Sequence, residues 1–177
     1  MGFDVRRAIR GAAAGAIAGV VWAAQQDFDK RVFGVDYDDT ELLGKFVTSG
    51  DAWRPIGLAM HVANGAAFGA FYATAVAPGP GPGWAKGAAA GLAENFASWP
   101  FVALVDDFHP ARKDLPQLQD NRAALAQATW RHLLFGVILG ELEERFNAPA
   151  SRGYEAPPAS SNGHGDISHA ATQVQPD

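Results

Sequence analysis

The charges of this chain are kept out of four long stretches. No Asp, Glu, Lys or Arg stands between Arg10 and Asp27, or between Arg54 and Lys86. Only Glu94 stands between Lys86 and Asp106, and only Arg131 between Arg122 and Glu141. Stretches 11–26, 55–77, 87–105 and 123–140 therefore hold two charged side chains, although the chain has 14 Lys and Arg and 19 Asp and Glu. A helix of a soluble bundle carries a charged stripe on its outer face. Here 55–77 has no charge at all and a thin scatter of polar groups (His61, Asn64 and Thr74). Such a surface faces lipid or protein.

Two numbers pull the other way, toward a soluble four-helix bundle. Mean hydropathy is −0.06, and the first apolar run is shorter than the roughly 20 residues that span a bilayer. Residues 148–177, rich in Pro, Ser and Gly, account for part of the low average and are expected to be a disordered tail. Abundant Ala and Gly account for the rest. The expected fold is all-α: a four-helix transmembrane bundle over residues 1–147, with helices at about 8–26, 55–77, 85–105 and 120–145. Arg6, Arg7 and Arg10 precede the first helix, and no small-x-small cleavage site follows it, so a retained first span is expected. By the positive-inside rule these arginines hold the N-terminus in the cytoplasm, and four spans return the C-terminus to the same side. Loops 27–54 and 106–122 then face outward. Pro100 should kink or end the third helix, and Asp38-Asp39-Thr40-Glu41 should cap a short amphipathic helix on the outer membrane surface. The five Trp fall mostly near expected helix ends, where interfacial Trp is common.

The same features recur in both halves. Gly11-Ala-Ala-Ala-Gly15 opens the first helix and Gly87-Ala-Ala-Ala-Gly91 the third. Asp27-Phe28-Asp29 follows one, Asp107-Phe108-His109 the other. Gly57-x3-His61-x3-Gly65-x3-Gly69 in the second helix matches Ala128-x3-His132-x3-Gly136-x3-Gly140 in the fourth. This order predicts two duplicated helical hairpins, parallel and related by an axis along the membrane normal. Residues four apart share a helix face, and glycine there lets another backbone approach, a main source of helix attraction in lipid. Gly11, Gly15, Gly19, Gly65, Gly69, Gly87, Gly91, Gly136 and Gly140 are thus expected as packing seams, between hairpins or between protomers. His61 and His132 share those stripes and should point inward.

The absence of cysteine excludes disulfides, iron–sulfur clusters, thiolate zinc and cysteine nucleophiles. A net charge of −5 without a Lys/Arg cluster argues against nucleic acid. The acidic run at Asp36–Glu41 lacks the central Gly and terminal Glu of a calcium loop. No zinc-protease, nucleophile-elbow, phosphate-loop or di-iron pattern occurs, so no catalytic residue and no metal site are assigned.

Polar groups inside a membrane segment are costly and often functional. They are His61, Asn64, Glu94, Asn95, Gln127, Arg131 and His132. One reading makes them an interhelical polar network, with Glu94 paired to Arg131 or a histidine. A second makes His61 and His132 the axial ligands of a b-type haem. A third joins His61, His132 and Glu94 in a proton or metal site. Counting 1.5 Å per residue puts His61 toward the outer side and Glu94 toward the inner, which favours a relay over a tight site. The acidic and basic groups at 106–114, His109 included, read as solvated loop charge.

From His61 onward the order of features resembles the YagU-like family of small bacterial inner-membrane proteins. The resemblance rests on Phe71-Tyr72, on Trp84 before Lys86-Gly87-x3-Gly91, on Trp99-Pro100, on Asp114-Leu115-Pro116, and on Trp130-Arg131-His132 before Glu143-Glu144-Arg145. It covers about half the chain and implies a multi-span inner-membrane protein without assigned chemistry. The functional expectation is a non-enzymatic membrane component whose Gly-x3-Gly seams pack it into a homo-oligomer or a larger membrane complex. The alternative is a haem- or proton-handling protein.

Overall fold

Asp4 opens the first helix: its carboxylate accepts from the amide of Arg7, satisfying one of the donors a helix start leaves free. In the computed structural model, which describes residues 4–148, this helix α1 runs Val5–Phe33. It ends at Gly34, whose φ of 69° is the left-handed conformation that glycine adopts without strain. The other helices are α2 (Asp39–Val47), α3 (Trp53–Ala75), α4 (Gly83–Ser98), α5 (Val102–Phe108) and α6 (Arg122–Asn147). A single 3₁₀ turn, Trp99–Phe101, carries Pro100 and divides α4 from α5. The described residues are all-helical. The tail beyond residue 148 lies outside them.

Three stretches are long and apolar enough to cross a membrane: Val5–Phe33, Trp53–Ala75 and Gly83–Phe108. The fourth helix falls short of that mark, because Gln127, Arg131 and His132 sit in its middle. Large apolar side chains lie exposed along the helices, among them Ile9, Val20, Phe71, Phe96, Leu104 and Phe108. Helix α1 departs most from expectation. It continues through Asp27–Lys30, read as loop, because Asp29 and Lys30 find partners there, as described below.

The glycine stripes are occupied within the chain. Helix α1 packs on α3, and α4 packs on α6. A Cβ at Gly15 would fall on the Gly65 carbonyl, and one at Gly69 on the Gly11 carbonyl. Likewise a Cβ at Gly87 would meet the Gly136 carbonyl, and at Gly91 the His132 carbonyl. Only bare backbone fits at these crossings. The seams expected between hairpins or protomers instead join the two long helices inside each hairpin. Gly19 is the exception: a Cβ there would come no closer than 3.7 Å to His61 or Val62, an ordinary contact.

Helices α1 and α6 pack against each other, whereas α3 and α4 stand apart. The long helices therefore follow the spatial order α3, α1, α6, α4, and the arrangement is open between α3 and α4. Ala14, Ala18, Trp22, Tyr72, Phe135 and Leu139 fill its core. Helix α2 lies across the start of α3 through two close backbone contacts, Gly44 on Trp53 and Gly57 on Thr40. Its N-cap is Asp38, whose carboxylate accepts from Thr40 and Glu41.

Candidate functional site

The gap between α3 and α4 is a cavity of about 490 Å³. His61, Asn64 and Phe68 of α3 line one wall, and Glu94 and Ser98 of α4 the other. Trp22 of α1 and His132 and Phe135 of α6 form its floor, and Tyr37, Asp39 and Leu43 close one end. His61 and Glu94 thus face one cavity, although counting along the chain set them at different depths. Two displacements remove the mismatch. Helix α3 starts at Trp53, which carries His61 deeper. The third apolar stretch begins at Gly83, and α4 ends at Ser98 before the 3₁₀ turn that carries Pro100, which leaves Glu94 one turn from the end of α4.

Glu94 and His132 are in direct polar contact across the cavity, Oε2 to Nε2 at 2.6 Å. The other ring nitrogen, Nδ1, lies 2.8 Å from the Ala128 carbonyl oxygen. A carbonyl only accepts, so Nδ1 carries a hydrogen. The pair is then either imidazolium with carboxylate or neutral imidazole with carboxylic acid. One proton lies between the two side chains in both forms.

Trp22 sits edge-on to both histidines, with ring centroids 5.1 Å from His61 and 4.6 Å from His132. It was expected near a helix end; the longer α1 buries it in the core instead. The residues do not fit a bis-histidine haem. His132 has no free nitrogen, and the Trp22 indole packs against both imidazoles. His61 is 8% exposed, and its Nε2 is buried without a hydrogen-bond partner. Among the described residues no group of three His, Cys, Asp or Glu is placed to hold a metal ion.

The expected single polar network separates into distinct clusters. Arg131 does not neutralise Glu94. It lies fully buried against Asp29, equally buried, with Nε to Oδ2 at 2.6 Å and a second bond from Nη2 to Oδ1. Its Nη1 donates to Asp39 at 2.7 Å and its Nη2 to the Tyr37 carbonyl at 2.9 Å. Gln127 donates to the same Asp29 at 2.6 Å. Asp39 also receives the Trp22 indole N–H at 3.0 Å and the Tyr37 hydroxyl at 2.6 Å. Lys30 pairs with Asp38 at 2.9 Å. Asn95 is separate again, donating to Thr129 at 3.1 Å. Asn64 is exposed at the mouth of the cavity.

Asp29, Asp39, Tyr37 and Trp22 are the residues that sequence reasoning missed as site members. Lone Arg131 in an apolar stretch was the available signal, because a guanidinium there requires a buried acidic partner. A further correction concerns His109, read as solvated loop charge. It is 3% exposed, and its Nδ1 accepts from Ala111 while its Nε2 donates to the Leu42 carbonyl at 3.0 Å. The neighbouring Asp106 accepts from the amides of Leu118 and Gln119 and folds the 109–121 loop back.

Burial alone would push the Asp39 carboxyl up, but the Arg131 guanidinium and the Tyr37 hydroxyl hold it below the usual carboxylate range. Burial and the Asp39 charge push the Tyr37 phenol well above its ordinary value. The signs follow by linkage. Asp39 contributes stability that is complete above about pH 4 and lost as pH falls through its folded-state value. Tyr37 contributes stability that is complete below about pH 10 and lost as pH rises through its folded-state value. Unfolding in detergent should therefore show an acid limb that Asp39→Asn flattens and an alkaline limb that Tyr37→Phe flattens. An acid limb unchanged in Asp39→Asn rules out this assignment.

Compared with known proteins, the chain has no match among family models, curated proteins or solved structures.

Proposed function

We propose that this chain is a four-span bacterial inner-membrane protein whose working part is the cavity between α3 and α4, a site that binds one exchangeable proton. The fourth span is α6. Its low hydropathy comes from Gln127 and Arg131, both buried against Asp29, and from His132, turned to Glu94, so the lipid-facing side of α6 need not be polar. The bacterial location rests on the YagU-like resemblance, and cytoplasmic termini on the arginines before α1. The hairpins share a crossing pattern that is one turn out of step with the sequence repeat, Gly15 meeting Gly65 and Gly69 as Gly87 meets Gly136 and Gly140. Duplication rests on this pattern together with the repeated motifs. These stripes are occupied by the chain's own helices, so association with further copies does not run through them.

One observation carries the proton-binding reading: the committed Nδ1 of His132 leaves a single proton between Nε2 and Glu94. A His–carboxylate pair that shares one proton is neutral, and giving up that proton leaves a carboxylate charge that an apolar surrounding penalises until another cation replaces it. NMR of ¹⁵N-labelled protein in lipid nanodiscs tests this. Nδ1 of His132 should carry hydrogen at every pH, and a strongly deshielded Nε2–H–Glu94 proton should vanish in Glu94→Gln. A His132 tautomer with bare Nδ1, or a signal unaffected by Glu94→Gln, refutes the reading.

A further inference from the structure

We propose that the α3/α4 cavity takes a monovalent organic cation with an aromatic or aliphatic body, in exchange for the proton held between Glu94 and His132. The inference rests on the proton-binding reading of this site. Four observations support it. The ionisable groups on the cavity wall are two carboxylates, Glu94 and Asp39, two histidines and Tyr37; no Lys or Arg reaches it. Asp39 is already satisfied by Arg131, Tyr37 and Trp22. Glu94, its side chain 41% exposed, is the carboxylate left open to a ligand, and its protein partner is the titratable His132. The lining also includes the aromatic side chains of Trp22, Phe68 and Phe135, a residue type that attracts an apolar cation. In addition, the buried Nε2 of His61 lacks a partner on the facing wall.

The exchange balances in charge and protons. Before binding, carboxylate and imidazolium together are neutral. On binding, the cation pairs with the Glu94 carboxylate, the Nε2 proton leaves for water, and neutral His132 keeps its Nδ1–H on Ala128. One positive charge enters and one leaves, so the site stays neutral in lipid. Of the other charged groups nearby, Arg131 shares its single charge between Asp29 and Asp39, which leaves that cluster one net negative charge with the Asp39 oxygens occupied by the Tyr37 and Trp22 donors. Lys30 is held by Asp38.

Benzyltrimethylammonium is the probe, since it carries a fixed charge and no proton of its own; neopentylbenzene is its uncharged isostere. The full chain in nanodiscs is titrated by calorimetry in two buffers of different ionisation enthalpy. The cation should bind at least tenfold more tightly than the isostere. It should release one proton per site, and its Kd should rise about tenfold per pH unit of acidification where the pair is protonated. Glu94→Gln, checked for an unchanged melting temperature, should weaken the cation at least tenfold and leave the isostere unaffected. Equal affinity for both probes, or cation binding without proton release, overturns the exchange. Those outcomes leave the shared-proton signal intact, whereas loss of that signal in the unliganded protein overturns the underlying reading as well.

Discussion

Replacing Arg131 with leucine destabilises the protein by about 3–5 kcal/mol, because it leaves the Asp29 carboxylate charged in the core with the neutral amides of Gln25 and Gln127 as its remaining donors. Both partners of the pair are fully buried, and Arg131 joins three segments: α1 through Asp29, α2 through Asp39 and the connecting loop through the Tyr37 carbonyl. A surface ion pair would lose at most about 1 kcal/mol on the same change. Burial decides between the two. Unfolding in detergent measures the difference, and Asp29→Asn with Arg131→Leu should recover a large part of the loss because no uncompensated charge is left inside. If Arg131→Leu costs under about 1 kcal/mol, the guanidinium is not what ties α6 to α1 and α2. The cavity should suffer too, because Asp39 and Tyr37, which close one end of it, are held by the same guanidinium.

The charge pattern made the helical class, the candidate membrane spans and their approximate limits readable, because lipid tolerates few formal charges wherever they fall along a helix. Pro100 marked a break that the 3₁₀ turn realises, and Asp38-Asp39-Thr40 marked the cap of α2. Pairing between segments far apart in the chain was not readable. Nothing near Asp29 distinguishes a carboxylate that ends a helix from one that a guanidinium 102 residues away carries into the core. The end of α1 was misjudged for that reason, and Trp22 with it. Depth was misjudged at Glu94 because counting from Gly87 ignores that α4 starts at Gly83 and ends at Ser98. The histidines were recognisable as inward-facing from their glycine stripes. That one of them would have both nitrogens engaged depends on Ala128 and Glu94, whose approach is set by how α4 crosses α6.

Gly15→Ala should destabilise the α1/α3 hairpin by about 1–3 kcal/mol, the range for forcing one extra carbon into a closed interface, while Gly19→Ala on the same stripe should stabilise it by up to about 1 kcal/mol. Helix propensity alone favours alanine by about 1 kcal/mol at both sites. Packing therefore decides the sign. At Gly15 the added carbon meets the Gly65 carbonyl and the Gly69 backbone, neither of which can move without opening the crossing. At Gly19 the nearest atoms are 3.7 Å away. Gly87→Ala should match Gly15→Ala, because the Gly136 carbonyl and the Gly140 backbone occupy the corresponding space. Melting temperatures in detergent check the ranking, and scattering mass of the purified protein separates two uses of glycine. A seam inside the chain lowers the melting temperature without changing the mass of the folded particle. A seam between copies shifts the mass toward monomer while each chain stays folded, and that result would contradict the assignment of these stripes to α1 with α3 and α4 with α6.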